Sequence, residues 1–160
     1  KNMLVFDFGG GTLDVTIMEI CGMSFKVRAT DGDMQLGGED IDALLVQHMV
    51  KVFKAKSEID LETYHDENKK NKAYKKLASA CAQIKIDLSR QLESELCVDD
   101  LIEGEAFEAT LSREEMEQIV EPVFRKLDAP VERALMKVHG GMYARDIDQV
   151  LLVGGSSRIP

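Results

Sequence analysis

Apolar residues recur along the chain with two different periods, which indicates a mixed α/β fold. Short alternating or continuous apolar runs predict β-strands, and apolar positions three and four residues apart over longer stretches predict helices. The predicted strands cover residues 3–8, 13–20, 24–30, 93–99, 105–111 and 148–153. The predicted helices cover residues 38–56 and 67–90, and a helical region follows over 112–138.

Each long helix is expected to bury one apolar face. The stripe in the first helix comprises Ile41, Leu44, Leu45, His48, Met49 and Val52. The stripe in the second comprises Tyr74, Leu77, Cys81, Ile84 and Leu88. In the third region Ser112 and Glu115 form a capping box, and prolines follow at Pro122 and Pro130. We therefore expect a helix, a kink or break, and a second helix with Pro130 in its first turn. The polar stretch over 58–72 predicts an exposed loop and the start of a helix.

Composition narrows the class of protein. The chain has 160 residues, of which 44% are hydrophobic and 31% charged, as in a soluble globular domain or one lobe of a larger domain. A net charge of −9 disfavours nucleic-acid binding, and the chain lacks an apolar run near the ~20 residues of a membrane span. It begins directly on a predicted strand and ends just after a glycine turn, so we expect a piece of a longer protein.

The three cysteines predict neither a disulfide framework nor a zinc site, because Cys21, Cys81 and Cys97 are odd in number and have no CxxC spacing. They lie in predicted strand or helix interiors, where free cysteine acts as a small hydrophobic residue. This pattern favours a reducing compartment.

Candidate chemistry begins with the segment Asp7–Asp14, DFGGGTLD, between two predicted strands. A strand–turn–strand context excludes a Walker A loop and a dinucleotide fingerprint, which both open a helix. Consecutive glycines allow backbone N–H groups to converge on a phosphate. Thr12 adds a hydroxyl, and Asp7 and Asp14 are suited to orient water or hydrated Mg²⁺. The alternative is an ordinary glycine-rich hairpin turn.

Two further segments are candidate ligand contacts. Gly154–Arg158, GGSSR, follows an apolar strand and is consistent with an anion-binding helix N-terminus; the alternative is a plain turn. On the helix over 67–90, a second strip lies to one side of the buried face and offers a cation, a hydroxyl and apolar surface. The strip consists of Ala82, Lys85, Ile86 and Ser89. The alternative interpretation of this strip is an ordinary solvent-exposed flank of the helix.

Four segments in order, LVFDFGGGTLDVTI, DGDMQLGGEDID, ACAQIKIDLS and VLLVGGSSRIP, resemble the second lobe of the ATPase domain of the seventy-kilodalton heat-shock chaperones. The resemblance covers essentially the whole chain. It implies an α/β, actin-like (ribonuclease H-like) ATPase lobe. Residues 1–36 and 122–160 would form its larger subdomain, and residues 37–121 an inserted, smaller α+β subdomain.

The resemblance also implies a site for ATP or ADP with Mg²⁺. Asp7 and Thr12 are the implied catalytic residues, and Asp7 is the implied metal residue, acting through water. The implied nucleotide-binding residues are Gly9, Gly10, Gly11, Thr12, Gly38, Ala82, Lys85, Ile86, Ser89, Gly154, Gly155, Ser156 and Arg158. Ala82 and Ile86 depart from the family pattern, in which many members carry Glu and Arg there. The 54–72 region is longer than usual, and the resemblance assigns it no role.

The function implied is that of the lobe II fragment of an ATP-dependent protein-folding chaperone of the stress response, which hydrolyses ATP only when joined to lobe I. The isolated fragment is expected to be inactive. Implied partners are nucleotide exchange factors and, through the full-length parent, J-domain co-chaperones and unfolded polypeptides, with no nucleic acid or membrane. The expected location is cytoplasmic, with an endoplasmic-reticulum or organelle paralogue as the alternative. The alternative functions are a non-catalytic module for exchange factors and a lobe of a sugar-kinase-like ATPase.

Overall fold

The computed structural model describes residues 1–160 and contains six strands and four α-helices. The strands are β1 (Asn2–Phe8), β2 (Leu13–Cys21), β3 (Ser24–Asp33), β4 (Glu93–Ile102), β5 (Glu105–Ser112) and β6 (Gln149–Val153). The helices are α1 (Gly38–Ser57), α2 (Glu67–Leu88), α3 (Arg113–Phe124) and α4 (Asp128–Lys137). Short 3-10 turns cover Ala144–Asp146 and Gly155–Arg158. None of the helices has the combination of length and apolar character needed to cross a membrane.

The chain divides into two compact units. The first unit comprises Lys1–Asp40, Pro122–Arg158 and Pro160, and the second comprises Ile41–Glu121 and Ile159. The assignment of residues 1–36 with 122–160 and of 37–121 to the larger and smaller subdomains of lobe II stays a prediction.

The first unit is built on a four-stranded sheet in the order β3-β2-β1-β6. Strands β1, β2 and β3 form an antiparallel meander, and β6 pairs in parallel with β1. Side chains at the start of β2 alternate between the core and the opposite face of the sheet: Leu13, Val15 and Ile17 are fully buried, while Asp14 is exposed. Helix α4 packs on β3 and β2 and contributes Ala134 to this core.

The second unit contains the antiparallel hairpin β4–β5, against which α2 packs on the β4 side. Side chains of β4 also alternate between the two faces of the hairpin: Leu96 and Val98 are buried, while Cys97 between them is exposed. The centre of the core is an edge-on aromatic pair, Phe53 from α1 and Phe107 from β5, with ring centroids 5.3 Å apart. Both rings are 1% exposed, so this pair anchors the hairpin to the helix.

The predicted elements are confirmed, with differences at their ends. Strands β3 and β4 run three residues further than expected, and α2 ends at Leu88 rather than at residue 90. The capping box at the start of α3 is present, because the Ser112 backbone N–H donates to Glu115 Oε2 at 2.9 Å and the Glu115 N–H donates to Ser112 Oγ at 3.2 Å. Pro122 does not break the helix: α3 continues to Phe124, and the interruption falls at 125–127.

Burial corrects several expectations. Cys81 is buried as predicted, but Cys21 and Cys97 are exposed, because one ends a strand and the other lies on the outer face of a hairpin. Tyr74 is only half-buried, and Leu61 is fully buried within the otherwise polar 58–72 stretch.

Candidate functional site

The turn Gly9–Thr12 joins β1 to β2 and is closed by a hydrogen bond from Gly9 N–H to the Thr12 carbonyl at 2.9 Å. The next three backbone N–H groups, of Gly10, Gly11 and Thr12, have no partner in the structure. All three residues are exposed. Adjacent, unpaired backbone amides are the donors that anion sites in proteins use. The turn therefore offers three accessible donors to an oxyanion.

Two glycines from distant parts of the chain press against this turn. A Cβ on Gly37 would lie 2.6 Å from Gly11 Cα and closer still to the Gly10 carbonyl. A Cβ on Gly154 would lie 2.5 Å from the Phe8 carbonyl carbon, and its φ of +87° is itself a glycine conformation. Only glycine fits at either position. Sequence analysis missed Gly37, although the paired glycines at the start of the first helix were a signal for close backbone approach.

The start of α1 is tied to the same turn. Gly38 N–H donates to the Gly9 carbonyl at 3.0 Å, and Glu39 N–H donates to the Gly10 carbonyl at 2.7 Å. These helix amides are thus used within the protein, where they fix the Gly9 and Gly10 carbonyls of the turn. Gly38 is buried and contacts the turn through its backbone, and its predicted contact with nucleotide stays a prediction.

The predicted Gly154–Arg158 segment contacts the turn and forms a 3-10 turn over Gly155–Arg158. Its interpretation as an anion-binding helix N-terminus stays a prediction. Ser156 is buried, and its hydroxyl donates to the Gly9 carbonyl at 2.8 Å. Gly155 and Arg158 are exposed. Gly154 and Ser156 therefore support the turn, and a nucleotide contact by any of the four stays a prediction.

Two carboxylates flank the turn. Asp7 and Asp14 are directly opposite each other in the β1–β2 ladder, and Thr12 Oγ1 donates to Asp14 Oδ2 at 3.4 Å. No group of three or more His, Cys, Asp or Glu side chains converges anywhere in the chain. Mg²⁺ keeps several waters and takes its remaining ligands from one or two carboxylates and substrate phosphates. Asp7 and Asp14, beside the free amides, match this small carboxylate requirement. A role for Asp7 at Mg²⁺ through water stays a prediction.

In the second unit, the predicted strip on α2 is partly accessible. Ala82, Lys85 and Ser89 are half-buried, and Ile86 is 48% exposed. The Lys85 ammonium is held 2.7 Å from Asp42 Oδ1 on α1, with both side chains largely shielded. Asp42 was not predicted, because it is one of three acids at the start of α1 and nothing in the sequence distinguishes it from Glu39 and Asp40. Adenosine contacts by this strip stay a prediction.

Cys81 lies on the buried face of the same helix. Burial first, and the nearby Asp42 charge second, raise the pKa of its thiol to about 12. The thiol therefore stays protonated and unreactive at neutral pH, which excludes Cys81 as a nucleophile.

Comparison with known proteins identifies the family. The model of the Hsp70 protein family matches residues 1–160. A heat shock 70 kDa protein of Trichophyton rubrum is 39% identical over 160 residues, and a heat shock cognate HSP70 protein of Trypanosoma brucei brucei is 40% identical over 161. Each alignment covers 100% of this chain and 23% of the relative, so the chain spans about a quarter of the length of these relatives. The resemblance drawn from the four sequence segments is confirmed: the chain belongs to the Hsp70 family.

Proposed function

We propose that this chain is lobe II of the nucleotide-binding domain of an ATP-dependent protein-folding chaperone. In this proposal the turn Gly9–Thr12 holds the phosphates of ATP or ADP. The observation that carries it is the set of three consecutive, exposed and unpaired backbone N–H groups at Gly10, Gly11 and Thr12. Family membership favours a chaperone over the sugar-kinase alternative.

The proposed chemistry depends on positioning. Phosphoryl transfer is catalysed mainly by placing charge around an in-line transition state. Backbone N–H groups of the turn would donate hydrogen bonds to the phosphate oxygens. Asp7 would orient water around Mg²⁺, which neutralises phosphate charge when bound. Thr12 would add its hydroxyl next to the phosphate. Hydrolysis requires further charged groups from lobe I, so we expect the isolated chain to bind phosphate without turnover.

The proposal extends to the partners and location of the full-length protein. The second unit, Ile41–Glu121, would be the surface for nucleotide exchange factors. J-domain co-chaperones and unfolded polypeptides would bind through the full-length parent, in the cytoplasm.

The proposal predicts a large preference for ADP over adenosine in the full-length protein. A hydrogen bond to a charged group contributes about 1.5–3 kcal/mol, so two of the three amides would give at least about a hundredfold tighter binding. Isothermal titration with each ligand in the presence of Mg²⁺ measures the ratio. Gly10→Val places a branched side chain in the open space over the turn and should remove most of this preference while adenosine binding persists. Equal affinities for ADP and adenosine in the unmodified protein would reject the phosphate site.

A further inference from the structure

Asp31, near the end of β3, is a buried carboxylate with two cations. Its side chain is 6% exposed. Arg133 donates from Nε at 3.0 Å and from Nη2 at 2.8 Å to Asp31 Oδ1, and Lys137 Nζ lies 2.6 Å from Asp31 Oδ2. Both cations stand on α4, one turn apart, and half of each is exposed to solvent. The Asp31 carboxylate is thus paired with two cations where α4 meets the edge strand β3.

The same cations hold the backbone of β3. Arg133 Nη2 donates to the Gly32 carbonyl at 3.3 Å, and Lys137 Nζ donates to the Thr30 carbonyl at 3.4 Å. Asp31 also accepts the Gly32 N–H at 2.8 Å. Three consecutive residues of the strand are therefore attached to α4 through one cluster of charges.

This end of β3 is packed against the start of β2. Gly32 pairs with Asp14, and a Cβ on Gly32 would lie 2.5 Å from the Leu13 carbonyl oxygen, so the backbones are in direct contact. Five residues after Gly32, Gly37 is wedged against Gly10 in the turn. A shift at the end of β3 would move both contacts: that of Gly32 with Leu13, directly after the free amides, and that of Gly37 with Gly10 and Gly11, which carry two of them.

We propose that Asp31 is a positioning residue for the phosphate-binding turn, acting through the contacts of Gly32 and Gly37. This inference rests on the proposed function. Without the carboxylate, Arg133 and Lys137 become neighbouring like charges that have lost their shared hydrogen-bonded partner, and β3 is held to α4 by the weaker bonds to the Gly32 and Thr30 carbonyls alone. The turn would then lose its fixed donor geometry, to which phosphate binding is sensitive at the level of an ångström.

The test compares ADP with adenosine in the full-length protein, because only ADP engages the turn. Asp31→Asn should weaken ADP binding about tenfold and leave adenosine binding within about twofold. Glu19→Gln is the matched control, since it removes a comparable acid–arginine pair in the same sheet, with Arg28 at 2.5 Å. The control should bind both ligands as the unmodified protein does.

Arg133→Gln provides a milder variant if Asp31→Asn fails to fold, because it leaves the Lys137 pair with Asp31 in place. Arg133→Gln should also weaken ADP binding, but by a smaller factor than Asp31→Asn. Equal losses for ADP and adenosine, or unchanged ADP affinity in a folded variant, would overturn the positioning role. If the unmodified protein does not prefer ADP, the proposed function fails; if it does and both variants keep that preference, only the role of Asp31 fails.

Discussion

Gly37→Ala should destabilise the chain because there is no space for a methyl group at this position. The new Cβ would lie 2.6 Å from Gly11 Cα and closer still to the Gly10 carbonyl, and ordinary contact begins at 3.4 Å, so the two backbones must separate by at least about 0.8 Å. The obstructing atoms belong to backbone, which cannot move aside as a flexible side chain can. Overpacking of this kind costs about 1–3 kcal/mol. For a chain of this length, that corresponds to a fall in Tm of about 2–12 °C.

Thermal and urea unfolding of the 160-residue chain, followed by circular dichroism, measures this cost. Gly10→Ala is the matched control, since its Cβ would meet nothing closer than Glu39 Oε1 at 3.9 Å. Because alanine restricts the unfolded chain, the control should be neutral or more stable by up to about 1 kcal/mol. In the full-length protein, Gly10→Ala should instead weaken ADP binding, because its methyl group occupies the proposed phosphate space. A Gly37→Ala chain with an unchanged unfolding midpoint would refute the steric argument.

Three further predictions concern cysteine accessibility, acid stability and the support of the turn. In the native chain, iodoacetamide at neutral pH should label Cys21 and Cys97 but not Cys81, and mass spectrometry showing rapid labelling of Cys81 would contradict its burial. Hydrogen bonds from Arg133 and then Lys137 hold the pKa of Asp31 well below its usual range, so its contribution to stability is present above about pH 4 and is lost as the pH falls further. The stability difference between the unmodified chain and Asp31→Asn should therefore shrink between about pH 5 and pH 2 in urea titrations, and a constant difference would contradict this. Ser156→Ala should cost about 0.5–1.5 kcal/mol in the same unfolding assay, because the Gly9 carbonyl loses one donor, and an unchanged midpoint would show that this bond is dispensable.

Local periodicity was sufficient to predict the secondary structure and the hairpin that carries the turn. The alternation of Leu13, Val15 and Ile17 places Asp14 on the opposite face of β2, and this is a local property. Pro122 was harder to place, because proline lowers the local preference for helix. Buried residues on either side of it, such as Val120 and Val123, keep the last turn of α3 packed in place.

Long-range contacts were not predictable in the same way. No periodicity connects Gly154 to Phe8, or Asp31 to the cations on α4, because their approach depends on how the strands are ordered in the sheet. Leu61 is a similar case: with only Ile59 as an apolar neighbour in a polar loop it gives too short a pattern to predict burial, yet it is fully buried. The four-segment resemblance predicted the family and named Gly38, Gly154 and Ser156, but it did not predict that these residues support the turn.

The glycines around the turn are required for two different physical reasons. Gly37 and Gly154 are closed positions, where a side chain would collide with protein backbone, so their substitution should affect folding first. Gly10 and Gly11 are open positions, where a side chain would meet almost nothing in the protein, so their substitution should affect the proposed phosphate site rather than folding. Since the free donors at the open positions are backbone groups, affinity for phosphate in the proposed site would depend on where the backbone is held. Supporting residues such as Asp31 would then change binding without touching the ligand.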